Sequence, residues 1–353
     1  MHATRCTHLL TFLVIAILIQ PPTLAQDTAT DFPALPSGSG IAAQHPGDQD
    51  IAKHPAVLFS DDFEDDSLPD ILRRWNSTSE ADTGILAISQ NTPNHAGSQS
   101  IKVTAKVPQN TGGYLYKRLD KPVDRAFARF YVKFQDPPQY IHHFTHFGGY
   151  YPGTNWAQGG AGERPIGNDR ITVGIEPFGH SGRVPPPGDW NFYAYWHEMK
   201  GSADGNYWGN SIQPPQRHPV PVDRWQCVEY MIELNDLGQP NGRLALWLDG
   251  ELIMDAHQGS PSGRWTGLGF QLHDTENPPA ESQPFHGFDF RTSNDLQINF
   301  FWLLHYVTET NQRRNRVPDI TEPNSVWFDH VVVATEYIGP IAPLDSATNT
   351  GGN

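Results

Sequence analysis

The sequence predicts an all-β fold, a sandwich of two antiparallel sheets joined by long loops, and three observations carry that prediction. Short runs in which apolar residues alternate with polar or aromatic ones recur between residues 56 and 338. Clusters of Gly, Pro, Asn and Asp separate the runs, within a chain of 353 residues that holds 31 prolines and 32 glycines. Helical periodicity surfaces only briefly, around residues 69–74.

In chain order, the first segment is "MHATRCTHLLTFLVIAILIQPPTLAQD": one Arg, an apolar run over residues 9–19, two prolines, then small residues at Thr23 and Ala25. This patterning is that of a signal peptide, residues 1–25, and implies a secreted protein, extracellular or periplasmic. The apolar run falls short of the ~20 residues a membrane span needs, so no membrane association is expected after cleavage. Residues 26–54 are polar, aperiodic and rich in Pro, Gly and Ser, as a flexible leader would be; residues 341–353 resemble them and are expected as a disordered tail. One domain is expected over residues 55–340. Cys6 would leave with the signal, so no internal disulfide is expected, and Cys227 in a strand-like run is structural.

The strand candidates of the domain follow. They are "AVLFSDDF", "SIKVTAKV", "GYLYKRL", "RAFARFYVKF", "RITVGIE", "NFYAYWHEM", "CVEYMIEL", "RLALWLDG", "ELIMDA", "GLGFQLHD", "DLQINFFWLLHYV" and "SVWFDHVVVATEYI". Asp249-Gly250 supplies the positive-φ turn of a hairpin between "LALWLDG" and "ELIMD".

Alternation assigns faces. Phe130, Val132 and Phe134 oppose Arg129, Tyr131 and Lys133; Ile171, Val173 and Ile175 oppose Arg170, Thr172 and Glu176; Phe270 and Leu272 oppose Gln271 and His273. Val228, Tyr230, Ile232 and Leu234 form a core side. In "WNFYAYWHEMK", Tyr193, Tyr195 and His197 share one face, with Trp190, Trp196 and Lys200 on the other. A second face of Arg, Tyr, His and Gln, where an idle surface would carry Lys and Glu, predicts a saccharide groove. Rings stack on sugar faces, and planar polar groups bind hydroxyls and carboxylates.

The balance of 24 basic to 39 acidic residues, net −15, excludes nucleic acid as a partner, since phosphate demands a basic face. An anionic polysaccharide would need local cations against that field, and Arg129, Lys133 and Arg170 are the candidates if they converge. "YIHHFTHFGGYYPG" brings His142, His143 and His146 together; it is expected as a loop capping the groove, with His142, His146 and Tyr150 toward substrate and Gly148-Gly149 at a tight bend. A transition-metal site is the competing reading, and no nearby carboxylate completes it. Hard oxygens in "FSDDFED" and "WFDHV" suggest a structural Ca²⁺ site at Asp62, Glu64 and Asp329; no organic cofactor is expected. The chain is expected to be a monomer.

"VLFSDDFED", "ARFYVKF", "DRWQCVEYMIELN", "NGRLALWLDGELI" and "VWFDHVVVATEYIGPI" resemble secreted concanavalin A-like jelly-roll proteins, most closely polysaccharide lyases of the alginate- and glucuronan-lyase type. The resemblance covers about residues 56–340 and implies that the opening and closing strands are neighbours. It also implies β-elimination at a uronate: neutralisation of the carboxylate, removal of the α-proton, and protonation of the leaving oxygen. Gln271-Leu272-His273 is similar to the Gln-x-His strand of alginate lyases, which implies Gln271 on the carboxylate and His273 as base. Tyr193 or Tyr195 would be the acid, Arg129 or Arg170 the neutraliser, and His197 a second candidate base. The Tyr-x-Lys-x-Gly-x-Tyr strand of one alginate-lyase family has no counterpart here. Two other functions stay open. A laminarinase-like hydrolase would use paired carboxylates, for which Glu229 and Glu233 lack the intervening Asp. A glycan-binding module would need no acid–base pair.

Overall fold

The structure, a computed structural model, describes residues 32–65, 67–93, 97–260, 262–272, 281–317 and 322–344. The strands in chain order begin with β1 (Val57–Asp61), β2 (Ser77–Thr78), β3 (Leu86–Ser89), β4 (Ser100–Ala105), β5 (Gly112–Val123) and β6 (Arg125–Phe134). The next six are β7 (His146–Tyr150), β8 (Arg170–Phe178), β9 (Asp189–Tyr195), β10 (Asn210–Gln213), β11 (Gln226–Glu233) and β12 (Arg243–Leu248). The last six are β13 (Glu251–Ala256), β14 (Ser262–Thr266), β15 (Gly269–Leu272), β16 (Gln283–Pro284), β17 (Ile298–Tyr306) and β18 (Asn324–Ala334). A short helix α1 (Leu68–Leu72) falls where helical periodicity surfaced, and α2 (Glu309–Arg314) follows β17.

One sheet runs β13-β12-β11-β6-β18-β4-β3, with β1 also paired to β18. The other, here called the groove sheet, runs β16-β14-β15-β10-β9-β8-β7-β17-β5-β2. The pairings are antiparallel except that of β10 with β15. The expected neighbourhood of the opening and closing strands is present, with Asp61 opposite Val331. The hairpin turn is present too: Asp249 and Gly250 both take positive φ between β12 and β13.

The core lies between the sheets and follows the alternation. Phe130, Val132, Phe134, Val228, Tyr230 and Ile232 from one sheet meet Ile171, Val173, Ile175, Phe192 and Phe270 from the other, all buried. Trp190 and Trp196 also turn into this core. Burying such side chains contributes ~1.5–3 kcal/mol each, the main stabilising term for a domain with no disulfide. Cys227 is buried, and burial pushes its thiol pKa up, as fits a structural residue.

Two expectations are corrected here. Residues 41–54, expected within the flexible leader, pack on the outer face of the smaller sheet. Ile41, Ala42 and Ile51 join Phe127, Met231, Trp247, Tyr337 and Ile338 in a second apolar cluster, so that face is a core of its own. "FGGY", expected as a bend, is the buried middle of the groove sheet. A Cβ on Gly148 or Gly149 would overlap the carbonyls of Ile171 or Gln297, so glycine is what lets the backbones approach.

Candidate active site

One level of the groove sheet crosses five strands. Trp302 on β17 pairs with His146 on β7, His146 with Gly174 on β8, Gly174 with Tyr193 on β9, and Tyr193 with Ser211 on β10. Period-two alternation puts Arg170, Thr172 and Glu176 on the same face of β8, and Asn191 and Tyr195 on the same face of β9. These side chains surround a pocket of about 150 Å³, lined by His143, His146, Tyr150, Arg170, Tyr193, Tyr195 and Trp302 among others. Gly174 leaves the floor open: a Cβ there would stand 3.0 Å from His146 Nε2.

His143 precedes β7 and is held by its backbone bridge to Tyr306. Its ring centroid lies 5.1 Å from that of Tyr193, and its Nδ1 donates to Glu176 Oε2 at 3.2 Å. The carboxylate therefore fixes the ring and leaves Nε2 as the free nitrogen. Asn191 Nδ2 donates to the Glu176 carbonyl at 3.2 Å and steadies the strand beneath.

The Tyr193 and Tyr195 hydroxyls are 3.1 Å apart, and the Gly209 N–H donates to the Tyr193 oxygen at 3.0 Å. Burial raises both phenol pKa values. His146 is buried, and that burial holds its pKa at about 3, so its ring is neutral at any ordinary pH.

Arg170 gives Nη1–H to Gly159 O at 2.8 Å and Nη2–H to Gly160 O and Glu163 O at 2.9 and 2.6 Å. Its guanidinium stacks over Tyr195, 5.6 Å from the ring centre. Among the described residues it pairs with no carboxylate. Three buried nitrogens of the pocket (Arg170 Nε, Trp302 Nε1 and His146 Nδ1) have no hydrogen-bond partner among the described residues.

Of the residues expected at a groove site, the pocket collects His146, Tyr150, Arg170, Tyr193 and Tyr195, with Glu176 behind His143. Tyr150 stacks on Phe300 at 4.5 Å, and burial pushes its phenol pKa up to about 12. Gln271 is on the groove face of β15, two strands away from Tyr193, opposite Gln213. His273 lies outside the described residues.

Several expected residues are elsewhere. Arg129, Tyr131 and Lys133 are on β6, in the other sheet and on its outer face. Arg129 is wholly buried and paired with Asp48, the Tyr131 hydroxyl accepts the Ile341 N–H at 3.0 Å, and Lys133 pairs with Asp223 at 2.7 Å. The three cations do not converge, and Arg170 alone serves the pocket. His197 lies past the end of β9, where alternation lapses, and its Nε2 is 3.5 Å from Asp289. His142 is stacked on His143 at 4.5 Å and sits 2.9 Å from Thr308 Oγ1, outside the pocket lining. Glu229, a candidate of the hydrolase reading, is buried on the outer face of the smaller sheet and accepts the Ile338 and Gly339 N–H groups at 2.7 and 2.8 Å.

At the expected calcium site, Asp329 is buried; its Oδ1 accepts the His330 N–H, and its Oδ2 has no partner among the described residues. Burial raises its carboxyl pKa well above the usual range, and the charges of Glu64, Asp62 and Asp61 add to this. Both Glu64 oxygens are already taken by Ser98 and Gln99, and Asp62 accepts the Glu64 N–H at 3.3 Å. No three His, Cys, Asp or Glu side chains among the described residues form a ready cage for a metal ion.

The architecture is that of a jelly-roll β-sandwich. No protein-family model matches the chain, and no curated protein does. Among solved structures, the marine PL-14 alginate lyase from Aplysia kurodai aligns with a TM-score of 0.50 at 13% identity, over 79% of this chain and 99% of that one. Alginate lyase Aly36B aligns with a TM-score of 0.47 at 12% identity, over 88% and 100%. The endo-β-1,4-glucuronan lyase from the fungus Trichoderma reesei aligns with a TM-score of 0.40 at 15% identity, over 79% and 95%. The first of these likenesses establishes the fold. No helix among the described residues is long and apolar enough to cross a membrane.

Proposed function

We propose that the chain is an exported polysaccharide lyase that cleaves a uronate-containing polymer by β-elimination in the groove-sheet pocket. The observation that carries this reading is the convergence of an oriented imidazole, a hydrogen-bonded phenol pair and a guanidinium with no carboxylate partner among the described residues on one cavity. Arg170 offsets the charge of the C5 carboxylate, which acidifies the α-proton. His143 Nε2 takes that proton. The electron pair left on C5 forms the C4–C5 double bond as the C4–oxygen bond breaks, and Tyr195 protonates the departing oxygen. Glu176 supports the imidazolium that forms on His143. His146 and Trp302, both uncharged, line the pocket against the substrate.

The test is the ultraviolet absorbance of the unsaturated uronate product, with alginate and glucuronan as substrates. A rise that His143→Gln cuts by about 10²–10⁴-fold, and that His273→Ala spares, supports this assignment. The reverse pattern moves the base to His273. No rise, with reducing ends released from neutral glucans, means a hydrolase; no rise with retention on a polysaccharide column means a binding module.

The same reading includes a structural Ca²⁺ at Asp329. A buried carboxylate oxygen without a partner, among three further acids, fits a hard cation. Calcium takes roughly six to eight oxygens and accepts backbone carbonyls and water among them, so side chains need not form the whole cage.

A further inference from the structure

The pocket is small for a polymer. At about 150 Å³ it is well under the ~300–1,000 Å³ of a site that encloses a drug-sized ligand, so most of a bound chain must lie outside it. The surface beside the pocket is unusual in one respect. Six large apolar side chains are exposed among the described residues, and four of them, Tyr151, Trp156, Ile166 and Trp208, lie on the two loops that follow β7 and β9. Trp156 is 59% exposed and Trp208 38%. Exposed indoles are what a sugar face can stack on, and these lie on the loops that wall the pocket.

These loops are built. The Tyr207 N–H donates to Gly162 O at 2.9 Å, Arg164 donates to the His197 carbonyl, and the Arg164 guanidinium lies over the Tyr207 ring. Asn210, fully buried, ties off the second loop through both the N–H and the carbonyl of Lys200. The Trp208 indole N–H donates to Asp204 at 3.0 Å, which holds the ring in place over Gly162. The first loop also supplies Gln158, Gly159, Gly160 and Ala161 to the pocket wall, so exposed rings and pocket share one continuous element.

We infer that the two loops form a saccharide-binding rim, with Trp156 and Trp208 as stacking platforms for the sugar units that flank the one in the pocket. The ligand class rests on the polysaccharide reading above; the lyase reaction is not needed for it. A pyranose ring presents an apolar C–H face to an indole and its hydroxyls to water, which suits rings that are half in solvent.

The test measures binding of the full chain, not turnover, with alginate and glucuronan polymers and their disaccharides as probes. Expected is a loss of about two- to tenfold in polymer affinity for each of Trp156→Ala and Trp208→Ala, with disaccharide affinity unchanged. Trp156 is mostly exposed, so the Trp156→Ala melt should match the parent, whereas Trp208→Ala also loses the bond to Asp204 and should melt slightly lower. Equal polymer affinity in the double variant, with the parent binding well, overturns the rim and leaves the pocket assignment standing. A parent that binds neither polymer sinks both. A parent dimer that the double variant dissociates, with saccharide binding intact, would assign the patch to a second copy of the chain instead.

Discussion

Tyr193 and Tyr195 share one hydrogen bond, and their surroundings separate their roles. The Gly209 N–H donates to the Tyr193 oxygen, whereas Tyr195 lies under the Arg170 guanidinium, beside the charge that would meet the substrate. A general acid must part with its proton in the transition state, so Tyr195→Phe should lower kcat by about 10²–10⁴-fold. Tyr193→Phe keeps the acid but removes its hydrogen-bond partner; the expected loss is about two- to tenfold, the equivalent of one hydrogen bond of ~0.5–1.5 kcal/mol. Steady-state rates of the two variants on one polyuronate decide it, and equal losses would contradict the division. Both tyrosines and Arg170 were legible in the sequence, because strict alternation in two regular strands fixes a face. His143 was not. It lies three positions before His146, which would put it on the opposite face of a strand, and only the irregular backbone before β7 returns it to the groove. Arg129 illustrates the converse: alternation shows that it opposes the core but not to which sheet its strand belongs.

At the scale of elements, the loop after β7 is threaded onto Arg170. Three carbonyls of residues 159, 160 and 163 converge on one guanidinium, and a Cβ on Gly160, whose φ is +112°, would overlap it. Gly160→Ala is therefore strained twice, in backbone and in contact, and should cost about 1–3 kcal/mol of stability. It should also lower kcat/KM more than its melt suggests, because it displaces the group proposed to offset substrate charge. Thermal denaturation together with kinetics on one sample tests this; unchanged kcat/KM would mean that Arg170 serves the loop and not the substrate. Loops of this kind leave no periodic trace, whereas most long strands were legible from alternation and turn residues. Strand β7 escaped because all five of its residues are buried and two are glycine, so nothing alternates. Residues 41–54 escaped for another reason. A polar, proline-rich composition describes a leader well, yet a few apolar residues and the Asp48–Arg129 pair suffice to seat it on an outer face that is itself apolar.

For the whole molecule, the closing strand meets the opening one at an electrostatic weak point. Asp329 is buried beside Asp61, Asp62 and Glu64 in a chain of net charge −15, and no basic side chain pairs with it among the described residues except His330, at 3.9 Å. A bound Ca²⁺ would offset this repulsion and thereby join the chain's first and last strands. Binding to the folded state alone, at about a hundredfold excess over Kd, contributes about 2.7 kcal/mol. For a domain of this size that is roughly 4–5 °C in Tm. Melts in calcium and in EDTA should differ by that amount, and polyuronate binding at the distant groove should persist in EDTA below the lower Tm. Asp329→Asn keeps the shape and removes the charge. It should erase the calcium response and melt in EDTA at or above the parent, because the repulsion it relieves no longer needs a cation. An unchanged parent Tm between calcium and EDTA would exclude the ion. Asp329→Asn melting far below the parent in EDTA would mean that the carboxylate is held by the protein itself.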